Sequence, residues 1–155
     1  MEKDAFAARI TAIKGRLYRV AASYLSGEND RLDAISEAIA RAWARRFTLR
    51  DERLFETWMT RILIRTCIDI QRTQKRMVPV EHLPEQVREP RPEEDIGLRD
   101  ALDSLPQKLR TMVVLHYMEG FDVCEVAKLM GTTKGAVCSG LSRAREKLRV
   151  QIGER

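Results

Sequence analysis

The residues with the most chemical promise lie between Asp122 and Arg149. Asp122-Val123-Cys124-Glu125 has the form of a capping box, a carboxylate at a helix start with a glutamate three residues later. Such a pair closes the backbone N–H groups that a helix leaves open at its first turn. The helix it opens, Val123 to Met130, ends at Gly131, a residue that adopts a left-handed conformation without steric cost. Thr132 or Thr133 then caps a last helix, Lys134 to about Val150. Ala127 is small where two helices must cross closely, and Val126, Met130, Val137 and Leu141 supply a shared apolar seam. A short helix, a tight glycine turn and a second helix with a polar outer face is an arrangement that reads duplex DNA. An αα-hairpin without a ligand uses the same caps and turns; the agreement of cap, turn, seam and outer face favours DNA. Arg143 and Arg145 are assigned to phosphates, with Lys147 on the Arg143 face at i,i+4. Arg149 is assigned to a solvated helix end, where a cation also suits the dipole.

Other reactive residue types are scattered. Cys67, Cys124 and Cys138 are lone thiols with no CxxC pair, which implies neither a disulfide framework nor a zinc site and fits a reducing cytoplasm. His82 and His116 lack Cys or His partners at metal-ligand spacing, so both are read as structural or solvated and no metal is expected. There is no glycine-rich phosphate loop, no His–carboxylate cluster and no nucleophile beside a base, so the chain is not read as an enzyme and no cofactor is expected. The charged N-terminus lacks the apolar stretch of a signal peptide, and no run approaches a membrane span.

The elements that must position these residues are all helical. Phe6, Ile10, Ile13, Leu17, Val20 and Tyr24 recur at helical spacing in one opening segment that Ser26-Gly27 ends. Asn29 or Asp30 caps the next helix, with Leu32, Ile35, Ile39 and Trp43 on one apolar face. Arg45 to Asp51 has no period and reads as a loop. A third helix, about Leu54 to Lys75, carries Phe55, Trp58, Met59, Ile62, Leu63, Cys67 and Ile68 so widely that it should be the central one, with Trp58 in the core. Pro79, Pro84, Pro90 and Pro92 mark a linker. Leu98, Ala101, Leu102 and Leu105 then form a short stripe, Pro106 suits the first turn of a following helix, and that helix carries Leu109, Met112, Val113 and Tyr117 before Glu119-Gly120 stops it. The fold class is therefore all-α, two small helical domains joined by a flexible linker: 1–77, 78–95 and 96–155.

Charge follows the same division. The chain of 155 residues carries a net +5. Residues 1–77 hold 16 basic and 10 acidic side chains, residues 78–100 hold 3 and 7, and residues 101–155 hold 9 and 6. Two basic blocks flank an acidic bridge, which suits two nucleic-acid-facing modules and a connector that avoids phosphates.

The string from Leu105-Pro106 through Leu148 resembles region 4 of the extracytoplasmic-function sigma factors, and the first half resembles region 2 of that family. Leu17-Tyr18-Arg19-Val20-Ala21 is similar to its opening helix, Asp30 to Glu37 to its polymerase-binding helix, and Thr57-Trp58, Arg61-Ile62 and Cys67-Ile68-Asp69 to its promoter-melting helix. The resemblance implies that Asp30, Leu32, Asp33, Ser36, Glu37 and Ala40 grip the clamp helices of the largest subunit of RNA polymerase core. It implies that the loop from Phe47 to Arg53, including Arg50, captures the unpaired −10 strand with the polar side of the third helix, where Arg61, Arg65, Arg72, Lys75 and Arg76 are the cations and Phe47 the aromatic. It places Thr133, Lys134, Cys138, Ser139 and Ser142, with Arg143 and Arg145, against the −35 duplex. It also implies promoter DNA and an anti-sigma factor as partners, the latter clamped between the modules, without membrane insertion.

The chain departs from the family where Cys138 and Gly140 stand at positions usually held by cations, which should weaken −35 binding and alter its preference. Ser36 replaces a frequent Gln, and Arg65 a frequent Asn. Cys138 raises the possibility of oxidation blocking DNA, in which case Cys138→Ser abolishes peroxide sensitivity; an inert thiol is the commoner case. A helix-turn-helix regulator acting without polymerase would not explain residues 17–76, whereas a sigma-like protein-binding mimic would explain both modules without DNA.

Overall fold

The structure, a computed structural model, describes residues 1–77 and 96–152. The chain divides into two compact units, Met1–Val87 and Arg88–Arg155. Residues 78–95, where the sequence places the linker and His82, lie outside the described residues. Among the described residues there are helices, short turns and loops and no strand.

The first unit holds α1 (Lys3–Ala12), α2 (Lys14–Tyr24), α3 (Glu28–Ala44) and α4 (Phe55–Met77). The opening segment is two helices rather than one, because Ile13 leaves the helical region at φ −113° and ψ 14°. Its β-branched side chain, with Gly15 two places on, lowers helix propensity there. Phe6 of α1 packs edge-on against Trp43 at 5.3 Å and Phe55 at 5.9 Å between centroids.

α3 starts at Glu28, with Gly27 at the cap and no side-chain cap bond, so neither Asn29 nor Asp30 plays the expected part. Arg31 donates from Nε to the Leu25 carbonyl at 2.8 Å and anchors that end. The buried row of α3 is Ala34, Ala38 and Ala42. Leu32 is 48% exposed, and Ile35, Ile39 and Trp43 are only half-buried. The expected apolar face is thus offset, since small side chains let α3 come close to α2 and α4 and push the larger ones to the rim.

α4 is central, packing on both α2 and α3, and it buries Phe55, Met59, Ile62, Leu63, Ile64 and Cys67. Trp58 departs from expectation. It is half-buried, its indole N–H donating to Thr48 Oγ1 at 3.3 Å, because its neighbours in the first turn of α4 include a short turn as well as the core. The segment between α3 and α4, read as a loop, contains two short 3-10 turns, Arg46–Thr48 and Glu52–Leu54.

The second unit holds α5 (Ile96–Ser104), α6 (Gln107–Val113), α7 (Val123–Met130) and α8 (Lys134–Ile152). Pro106 is the N-cap of α6, which starts at Gln107 as its sequence suggests. After α6 the chain widens into a π turn, Val114–Met118, where the Glu119 N–H reaches the Val114 carbonyl at 2.9 Å. That widening leaves Tyr117 half-exposed instead of in the expected apolar face; Leu98 of α5 is likewise exposed. α8 packs against α5, α6 and α7 through Val137, Leu141 and Ala144. Against it α7 buries Val126, Ala127 and Leu129, while Met130, expected in the seam, is half-buried.

Candidate nucleic-acid and polymerase interfaces

The helix-turn-helix is built by local hydrogen bonds. Asp122 Oδ1 accepts the Glu125 N–H at 2.8 Å, and Glu125 Oε1 accepts the Asp122 N–H at 3.2 Å. The backbone N–H of Glu125 is the main cause that holds the Asp122 carboxyl below the usual aspartate range. Gly131 takes φ +66°, which lets the Thr132 N–H return to the Ala127 carbonyl at 2.9 Å. Thr133, not Thr132, is the cap of α8, its Oγ1 accepting the Ala136 N–H at 3.1 Å.

From that cap α8 presents Lys134, Cys138, Ser139, Ser142, Arg143 and Arg145, all exposed. Lys134, Cys138, Ser142 and Arg145 follow one another at i, i+4, i+8 and i+11, a single strip along the helix. Arg145 donates from Nη1 to the Tyr117 hydroxyl at 2.7 Å, so its guanidinium is fixed by the π turn. Gly140 does not share this surface. It is buried, and a Cβ there would collide with Met112 Sδ and lie 3.3 Å from Leu109 Cδ2. The expected loss of a DNA-facing cation at position 140 is therefore wrong: in this chain the position faces α6. His116 is structural, its Nδ1 lying 2.8 Å from the Phe121 carbonyl oxygen.

In the first unit, Leu32, Asp33, Ser36, Glu37 and Ala40 form an exposed face of α3. Asp30 is half-buried at one end of that helix and accepts from Gln74 Nε2 of α4 at 2.9 Å. Around the α3–α4 loop, Phe47 is 76% exposed. The Arg46 guanidinium lies over both the Trp43 ring at 3.9 Å and the Phe47 ring at 4.3 Å. Arg50 is exposed. Arg53 is exposed but grips Asp51 with two guanidinium bonds, Nε to Oδ1 at 3.1 Å and Nη2 to Oδ2 at 3.0 Å. These bonds keep the Asp51 carboxyl below its usual range and compete with any strand phosphate for Arg53. Arg61, Arg65, Arg72 and Arg76 lie on one strip of α4, with Lys75 beside it, all exposed.

Sequence reasoning missed Arg41 and Arg45 of α3. With Ile62, Arg65, Ile68, Asp69 and Arg72 of α4 they line an open cleft of about 370 Å³. Arg41 donates from Nη1 to Asp69 Oδ2 at 2.8 Å and from Nε to Glu37 Oε1 at 3.2 Å. The Asp69 bond is the main cause that raises the Arg41 pKa. No local pattern could reveal this, since the partners lie on different helices. Among the described residues, no three His, Cys, Asp or Glu side chains converge to hold a metal ion, and no helix is long and apolar enough to cross a membrane.

Comparison with known proteins assigns both units. Residues 10–77 match sigma-70 region 2 and residues 96–148 match sigma-70 region 4. The RNA polymerase sigma factor SigV of Bacillus subtilis is 32% identical over 92% of this chain and 88% of its own length. The RNA polymerase sigma-E factor of Streptomyces coelicolor is 34% identical over 79% of this chain and 72% of its own. The ECF sigma factor SigM of Mycobacterium tuberculosis is 29% identical over 89% of this chain and 72% of its own. In fold, the sigma factor RpoE of Bartonella quintana, crystallised with the anti-sigma factor NepR, superposes with a TM-score of 0.88 over 99% of this chain and all of that one, at 22% identity. The chain belongs to the extracytoplasmic-function RNA polymerase sigma factors, which bind polymerase core and direct promoter-specific initiation.

Proposed function

We propose that residues 1–77 dock on core polymerase and hold the melted −10 element, that residues 96–155 read the −35 duplex, and that 78–95 connect them. The observation that carries this division is the outward strip of α8. It begins at a capped helix start, carries Lys134, Cys138, Ser142 and Arg145, and has Arg145 fixed by Tyr117. A helix N-terminal half with short polar side chains and flanking cations suits the major groove. In the first unit the exposed α3 face supports clamp-helix contact, and the α4 strip with Phe47 supports single-strand capture. The role is one of binding and positioning in the cytoplasm, not catalysis.

Missing cations at both Cys138 and Gly140 would favour a protein-binding mimic. Burial of Gly140 removes half of that ground. An anti-sigma factor is proposed as a further partner, because the same fold is held by one in the Bartonella quintana complex. A co-purifying encoded neighbour that silences transcription would support it, and full activity beside every such neighbour would overturn it.

The test is transcription from a promoter library by core polymerase with and without the purified chain. Initiation that depends on the chain, with enrichment at both elements, supports the division. Core binding without initiation on any sequence overturns it in favour of the mimic, and no core binding by folded protein overturns the polymerase contact itself.

A further inference from the structure

The α3–α4 cleft gathers four guanidiniums, from Arg41, Arg45, Arg65 and Arg72, against the single carboxylate of Asp69. Asp69 is matched by Arg41 at 2.8 Å, so the other three cations face the cleft with no carboxylate of their own within it. Exposure of Arg45, Arg65 and Arg72 keeps them hydrated but does not balance their charge. The floor is apolar: Ile62 is buried and Ile68 half-buried. At about 370 Å³ the cleft is open to solvent and larger than a lone ion needs.

An apolar floor with a guanidinium rim matches one polymer unit, an unstacked nucleotide. Its base or sugar lies on the isoleucines, and its phosphates meet planar, permanently charged forks. A duplex keeps its bases stacked inside and offers phosphates alone, leaving such a floor unused. Resting on the proposed strand-binding role of the first unit, we infer that Arg41 and Arg45 of α3 extend the α4 cation strip into a seat for one nucleotide of the unpaired promoter strand, with Asp69 positioning Arg41. The seat assigns promoter contacts to a helix whose neighbouring face is proposed for polymerase. Glu37, on that face, also holds Arg41 at 3.2 Å.

The test uses the chain assembled with core polymerase, titrated with a fluorescent short mixed-sequence single strand and with the corresponding duplex, over a series of salt concentrations. Core affinity is measured in parallel. Each lost phosphate contact on a single strand lowers the salt-dependence slope by about 0.7. Arg45→Ala is the decisive variant because its side chain is exposed and supports nothing in the core. The expected result is a slope lower by about 0.7 for the single strand, unchanged duplex and core affinity, and recovery of the slope in Arg45→Lys. An unchanged slope in Arg45→Ala, with a lowered one in Arg61→Ala, overturns the seat and leaves the wider strand-binding reading in place. Unchanged slopes in both overturn both. Equal losses on single strand and duplex overturn the single-strand assignment in favour of a plain phosphate track. A loss of core affinity alone makes the cleft a protein contact and likewise overturns it.

Discussion

Asp122 is fully exposed yet structurally committed, because its carboxylate closes the first turn of α7. Its folded pKa is lowered, so the stabilisation it gives is complete above the ordinary aspartate value of about 3.9 and is lost as pH falls through the folded value. Asp122→Ala should lower the melting temperature at neutral pH, and Asp122→Asn should lower it less. The gap between wild type and Asp122→Asn should close on acidification, as followed by thermal unfolding in circular dichroism; a pH-independent gap would show that hydrogen bonding alone acts there. The thiols separate in the same way by surroundings. Burial pushes Cys67 up to about 12, whereas Cys124 and Cys138 are exposed. A thiol reagent near neutral pH should therefore modify two cysteines in the folded protein and the third only on denaturation. Fast labelling of all three would contradict the packing of α4. These residues were legible to different degrees. The capping box and Gly131 are visible in the sequence because each acts within a few positions of itself. The Arg41–Asp69 pair, 28 positions apart, has no such local signal.

Helix packing decides what single-residue patterns leave open. The largest apolar side chains of α3 are Leu32, Ile35, Ile39 and Trp43, but the interior takes Ala34, Ala38 and Ala42. Apolar size is a poor guide where two helices must approach closely. The same physics explains Gly140, whose missing side chain makes room for Met112 of α6. Elsewhere in a helix Gly→Ala gains about 1 kcal/mol in propensity. Here the added methyl must displace a fully buried thioether, and overpacking of this kind costs about 1–3 kcal/mol. Gly140→Ala should be net destabilising by about 1 kcal/mol in denaturant unfolding. In a Met112→Val background, where the sulfur is gone, the same substitution should become neutral or stabilising. Coupling in this cycle of about 1–2 kcal/mol is expected for side chains in contact. Zero coupling would mean that α8 shifts away from α6 instead of Met112 moving. Opposite behaviour is expected two residues earlier, where the exposed Cys138 should accept Arg without loss of stability.

At the scale of the molecule, the residues on which function depends are split between two units, and residues 78–95, where the sequence places the connector, hold six acidic side chains against two basic ones. On the proposed division, a promoter bound through both elements gains from linkage, because seating one unit raises the local concentration of its site around the other. Connector length then becomes a functional variable independent of any contact residue. Doubling 78–95 with a Gly/Ser insert should lower the effective concentration of the second unit by roughly three-fold, following the −3/2 power of length. Initiation at promoters requiring both elements should fall accordingly, while binding of the chain to core polymerase and activity at a promoter relying on the −10 element alone should hold. Salt sharpens the comparison, since each unit carries its own set of cations and the two-element promoter should show the steeper salt dependence. If the insert leaves both promoter classes unchanged, the two elements are not held at once by one chain. If it depresses both equally, the connector acts through polymerase rather than through the spacing of the DNA sites.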